Sequence, residues 1–240
     1  MIRHINFEYG IFKHEEIALN SVPLIKGKFY LYIHPDFPKE FERTFWFYNL
    51  SKRLKIDDVI SLGPYFPMHI YYDNLAIMPD LKYPAFSDII LNSKSGPLHR
   101  AQNDYIRNSR KEQLKIISNF YAYYLKEAVE SLDYDEIIPV PAKSMYSFNS
   151  IEIICKEFSK IFNIPINVRR IKRINDGEKD YAVISKNNYL NLKNILIIDD
   201  IITDGITKAK IFHVLKEAGC YATHMITLAK TDHNIYEYND

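Results

Sequence analysis

Cysteine, glycine and excess charge of either sign are all scarce in this chain of 240 residues. The two cysteines, Cys155 and Cys220, are too few and too far apart for a disulfide framework or a zinc-ligand pattern. A formal net charge of +1 gives no general electrostatic footprint for nucleic acid. No stretch approaches the roughly 18 apolar residues of a membrane-spanning helix, and the first residues lack the apolar segment of a signal peptide. The expectation is a cytoplasmic protein with no membrane partner. Internal repeats and low-complexity segments are missing too, and His34, His69 and His213 show no metal-ligand spacing.

In bulk the chain is that of a globular protein, with 47% hydrophobic and 25% charged residues. Nineteen tyrosines are less usual, and many fall before residue 125, which suits a rigid aromatic surface or a core with wet edges. The length accommodates one sizeable α/β domain and a smaller appendage. We place the appendage at residues 1–95, an aromatic-rich region suited to a hood or a partner-binding role, and the α/β domain at residues 96–240. In the first region Lys28–His34 reads as a strand, and Thr44–Tyr48 as a strand or a buried helical turn. Residues 92–110, polar and basic, read as a loop.

Beyond the loop, Leu114, Ile117, Tyr121, Tyr124, Leu125, Ala128 and Leu132 recur at helical spacing. Glu136–Val140 reads as a short buried strand and Ile151–Phe162 as a second helix closed by Asn163 and Pro165. Ile166–Ile171 reads as a strand, followed by a charged excursion over about 172–188. The run Asn194–Ile198 is an apolar strand, and the helix after it carries Ala209, Phe212, Leu215 and Ala218 inward, with Gly219 just past its end. Tyr221–Leu228 is the next strand. Strands alternating with helices imply a parallel sheet covered on both faces.

The segment Asn194-Ile-Leu-Ile-Ile-Asp-Asp-Ile-Ile-Thr-Asp-Gly-Ile-Thr207 carries the most chemistry. A buried strand delivers Asp199 and Asp200 to its carboxyl end, where open α/β sheets place ligands. A turn through Thr203, Asp204, Gly205, Ile206 and Thr207 then enters a helix, whose backbone N–H groups suit a phosphate. The two acids suit ribose hydroxyls or a shared, hydrated Mg²⁺. Asp204 is the odd member. A carboxylate about 5 Å from a phosphate dianion would cost roughly 1.5–7 kcal/mol if it pointed inward. Turned outward, it would cap the following helix, a position that favours aspartate.

This run resembles the signature of type I phosphoribosyltransferases, a hydrophobic strand, two acids, two hydrophobics, then Thr-Thr-Gly-x-Thr. Ile137-Ile-Pro-Val-Pro141, Ser147-Phe-Asn-Ser150 and Val168-Arg-Arg-Ile-Lys-Arg173 resemble segments of the ComF competence-protein branch. The resemblance spans about residues 94–230. It departs from that branch in lacking a four-cysteine zinc ribbon, and from the signature at Asp204, where threonine is usual. It implies a phosphoribosyltransferase-type parallel sheet flanked by helices. It also implies binding of phosphoribosyl pyrophosphate, or a related ribose-5-phosphate ligand, with Mg²⁺ on Asp199 and Asp200. Asp199, Asp200 and Thr203 would then carry the reaction, and 203–207 the 5′-phosphate. Pro141, Ala142, Lys143 and Ser144, with Arg170 and Arg173, would hold pyrophosphate, the arginines across a homodimer interface in one arrangement. The 172–188 excursion would be a lid.

Three readings compete with an active transferase. The first is a fold-retaining sensor or scaffold without turnover, motivated by Asp204 and the missing zinc ribbon. The second is an effector in a DNA-uptake or phage-defence system with protein or nucleic-acid partners, resting on the resemblance and on basic residues Lys94, Arg100, Arg107, Arg110 and Lys111. The third, a response-regulator acidic pocket, fits less well, because those acids follow the first strand of their domain and these lie late.

Overall fold

The computed structural model describes residues 59–76, 83, 85–101, 103–130, 133–143, 145–146, 148–175, 180–184, 194–220, 222–231 and 233, with three two-residue strands before residue 50. In chain order the elements are β1 (Ile2–Arg3), β2 (Ile17–Ala18), β3 (Tyr48–Asn49), β4 (Val59–Tyr65), α1 (Met68–Leu75), α2 (Ala85–Ser93), α3 (Ser95–Arg100), α4 (Asp104–Glu130), β5 (Glu136–Pro139), α5 (Ser150–Phe162), β6 (Ile171–Asn175), β7 (Asp180–Val183), β8 (Asn194–Ile202), α6 (Ile206–Glu217) and β9 (Ala222–Thr231). The strand expected over Lys28–His34 lies outside the described residues, as does most of Thr44–Tyr48.

The central sheet runs β3-β4-β9-β8-β5, parallel throughout except for the short antiparallel edge strand β3. Ile195, Leu196, Ile197 and Ile198 are all fully buried. Successive strand residues face opposite sides, so burial of all four means that both faces of β8 are covered, as the alternation of elements implies. Each such side chain stabilises the fold by about 1.5–3 kcal/mol. On α4, Leu114, Ile117, Tyr121 and Leu125 fall on the predicted apolar face and are buried. Tyr121 meets Phe158 of α5 edge-on, with ring centroids 5.8 Å apart. Asn149 caps α5 by accepting from the Ile151 N–H, and Asn163 ends it in the left-handed conformation.

Several expectations need correction. The loop read over 92–110 is two helices and the start of a third, broken at Lys94, whose backbone is extended. Pro97 lies in the first turn of α3, where its missing N–H would have no helical partner anyway. The expected 166–171 strand is not continuous: Ile166 forms an isolated bridge to Ile137, and Ile171 opens the next strand, β6, opposite Val183. Part of the 172–188 excursion is an antiparallel hairpin, β6 against β7, tied to α6 by a Lys210–Asp180 ion pair at 2.6 Å. On α6 the buried residues are Ile211 and Leu215, whereas Ala209 is exposed. β8 runs through the two acids to Ile202 rather than stopping before them. Finally, β4 precedes residue 95 yet belongs to the same sheet, paired in register from Val59↔Met225 to Tyr65↔Thr231.

Candidate functional site

In a parallel sheet the carboxyl ends of all strands open on one edge. Here that edge gathers Tyr65 of β4, Pro139 of β5, Asp199 to Ile202 of β8 and Thr231 of β9. The Val140 N–H donates to the Ile198 carbonyl at 2.9 Å, extending the β5–β8 pairing by a residue and holding Pro141 beside the acids. A cleft of 450 Å³ opens there. Its walls are Asp199, Asp200, Ile201 and Thr207 on one side and Val140, Pro141, Ala142, Lys143, Tyr146 and Ile151 on another. Arg173 of β6 and the segment Leu91–Arg100 complete it through Leu91, Lys94, Ser95, Gly96, Pro97 and Arg100.

The acids are held by their own backbone. Asp199 Oδ1 accepts from the Asp200 N–H at 2.9 Å, and Asp200 Oδ1 from the Ile201 N–H at 2.7 Å. Asp199 is only 8% exposed. Burial, followed by the neighbouring Asp200 charge, pushes its carboxyl well above the usual range, and Lys94 partly opposes this. Tyr65, with the Lys94 ammonium 4.8 Å from its ring centroid, is raised by burial and then by Asp200. A buried carboxylate beside a second one is a place where a cation lowers the energy. Among the described residues no three acidic, histidine or cysteine side chains converge as a complete metal cage. Two carboxylates at a cleft nonetheless suit Mg²⁺, which keeps several waters and draws other ligands from phosphates.

The turn before α6 is shaped by Gly205, at φ 78°, a conformation that side chains rarely adopt. Asp204 Oδ1 accepts from the Ile206 N–H at 3.0 Å. The helix's N-cap is Gly205, without a side-chain cap, and the Asp204 carboxylate, one residue earlier, occupies the first N–H of the helix. Thr203 Oγ1 lies 2.8 Å from Thr231 Oγ1, linking the turn to the last strand. Thr203 and Asp204 are exposed, and Ile206 is 46% exposed.

The structure thus brings Asp199, Asp200, Thr207, Pro141, Ala142, Lys143 and Arg173 to one cleft. Thr203, Asp204, Gly205 and Ile206 flank it at the helix mouth, and Ser144 lies outside the described residues. Arg170 is a correction. Its guanidinium is buried against Glu136, with Nε–Oε1 at 2.5 Å and Nη2–Oε2 at 2.6 Å. Glu136 opens β5, at the opposite end of the strands from Asp199, so this arginine is a structural partner and not a ligand of the cleft. Sequence reasoning missed the α2–α3 wall. Ser-Lys-Ser-Gly-Pro looks like loop punctuation, but Ser95 Oγ accepts from the Ser150 N–H at 3.0 Å and pins α3 to α5. A Cβ on Gly96 would lie 3.0 Å from the Tyr146 hydroxyl, so the glycine lets the loop after β5 close against α3.

No protein-family model matches the chain, and no curated protein does. Similar solved structures include the purine phosphoribosyltransferase of Pyrococcus horikoshii Ot3, at 21% identity over 51% of this chain and 73% of that one, TM-score 0.34. A hypoxanthine phosphoribosyltransferase of Staphylococcus aureus is 16% identical over 50% of this chain and 64% of that one, TM-score 0.36. A hypoxanthine-guanine phosphoribosyltransferase of Bacillus anthracis is 17% identical over 50% and 68%, TM-score 0.35. Over about half its length, the chain is distantly similar in structure to phosphoribosyltransferases.

Proposed function

We propose that this protein binds phosphoribosyl pyrophosphate with Mg²⁺ and transfers the phosphoribosyl group to an acceptor nucleophile, as a ComF-like phosphoribosyltransferase without the zinc ribbon. The supporting observation is the convergence, in one cleft, of Asp199 and Asp200, Thr207 at a helix mouth, and the cations Lys143 and Arg173. Main-chain N–H groups at the start of α6 hold the 5′-phosphate. Asp199 and Asp200 orient the ribose hydroxyls and would hold Mg²⁺, which would supply positive charge beside the pyrophosphate oxygens. The acceptor bonds to the anomeric carbon as the bond from that carbon to the pyrophosphate oxygen breaks, and the electron pair leaves with pyrophosphate. Catalysis then comes from positioning and from charge stabilisation of an oxocarbenium-like transition state. In calorimetric titration with Mg²⁺ present, phosphoribosyl pyrophosphate binds saturably, and Asp200→Asn weakens it by about tenfold or more. No heat of binding to the wild-type chain rejects the reading.

The Asp204 carboxylate on the Ile206 N–H favours a second reading, a ligand-sensing protein with the fold but no turnover. Multiple-turnover release of pyrophosphate with any nucleobase or amine eliminates it.

A further inference from the structure

The cleft contains more positive charge than the sequence motifs account for. Two of its cations, Lys94 and Arg100, come from the α2–α3 wall, which none of the phosphate, acidic or pyrophosphate motifs includes. Resting on the function proposed above, we infer that Lys94 and Arg100 are pyrophosphate-binding residues, completing with Lys143 and Arg173 a four-cation ring around the Asp199–Asp200 pair.

Three observations carry this. First, four cations and two carboxylates line one cleft, a charge excess that suits an anion larger than a single phosphate monoester. Second, the wall is fastened to the loop after β5. Ser95 bonds to Ser150, and Gly96 admits the Tyr146 ring to close contact, which places Lys94 and Arg100 beside the Pro141–Lys143 loop. Third, the two cations of the wall are not tied up in ion pairs among the described residues, whereas Arg173 donates to the Tyr181 hydroxyl at 2.8 Å. Arg100 and Lys143 make no ion pair among the described residues, and Lys94, which lines the same cleft, rests with its ammonium 4.8 Å from the Tyr65 ring centroid. Arg170, which the sequence pattern offered for this role, is consumed by Glu136 at the far end of the sheet. The α2–α3 wall supplies the charge that Arg170 does not.

The test titrates the full chain with pyrophosphate and, separately, with ribose 5-phosphate, both with Mg²⁺. Methionine keeps the aliphatic stem over Tyr65 while removing charge, so the variants are Lys94→Met and Arg100→Met, with Arg110→Met on α4 as a control outside the cleft. Each cleft variant should weaken pyrophosphate by about tenfold, the loss of one charge-assisted contact. Ribose 5-phosphate affinity should stay within about twofold, and the control should match wild type. Unchanged pyrophosphate affinity in both variants overturns the inference alone, as does equal weakening of ribose 5-phosphate. A wild-type chain that binds neither probe overturns this inference together with the function it rests on.

Discussion

Asp199→Asn should make the ligand-free protein more stable while making it a poorer binder. The side chain is 8% exposed and abuts a second carboxylate. The amide retains an oxygen for the Asp200 N–H, now 2.9 Å away, and its nitrogen offers Asp200 a donor where the wild type sets a second carboxyl beside it. Mutational data put the cost of an imperfectly compensated buried polar group at about 1–3 kcal/mol, and the substitution relieves it. In a chain of this size each kcal/mol is roughly 2–4 °C, so the midpoint should rise by about 2–12 °C at neutral pH. The folded-state carboxyl titrates above its ordinary 3.8, so the folded state holds the proton more tightly than the unfolded chain. Wild-type stability from this group therefore declines as pH climbs from 3.8 through the raised folded value. The advantage of asparagine is absent below that window and complete above it. Scanning calorimetry in chelator reads the midpoint across pH, and titration with Mg²⁺ and phosphoribosyl pyrophosphate reads the lost affinity. A midpoint that falls at neutral pH, or a gain that is the same at about pH 3, refutes the electrostatic account.

Glu136→Ala leaves the Arg170 guanidinium buried without its carboxylate and should cost about 3–5 kcal/mol in urea unfolding. Because Glu136 lies at the amino end of β5, ligand affinity measured well below the melting temperature should hold, and a parallel loss of binding would contradict that separation. Asp204→Asn keeps an acceptor for the Ile206 N–H but removes a negative charge from the helix mouth, so ribose 5-phosphate should bind about threefold or more tightly. Asp204→Ala should lose about 1 kcal/mol of stability with its hydrogen bond to the Ile206 N–H, and equal stability in the two variants would show that this bond at 3.0 Å contributes nothing.

How far the sequence could be read depended on the range of the interaction involved. Strand β8, the turn at Gly205 and helix α6 were legible because hydrophobic run, acids and turn residue sit next to one another, and their geometry is set within a dozen residues. Helix α4 was legible from the spacing of Leu114, Ile117, Tyr121 and Leu125. The α2–α3 wall was not, since what makes Ser95 a buried helical residue is a hydroxyl contact with Ser150, far along the chain. Arg170 was read as a pyrophosphate ligand because Glu136, the partner that buries it, is 34 positions away. The inward face of α6 was misjudged at Ala209, because small residues carry little weight in deciding which side of a helix meets the sheet. β4 contains Gly63 and Pro64, both poor strand formers, and pairing with β9 overrides their preference.

That pairing has a consequence for biogenesis. β4 and β9 are neighbours in space, joined also by a short hydroxyl contact between Ser61 and Thr227, yet 166 positions separate those two serine and threonine residues. As the polypeptide emerges from the ribosome, β4 must wait for the 166 positions that separate Ser61 from Thr227 to be translated before its partner exists. Until then one margin of the nascent sheet is uncovered, and unpaired strand margins are what chaperones shield and aggregates recruit. The β4 margin of the sheet thus closes only after its last strand has been made, whatever local structure forms earlier.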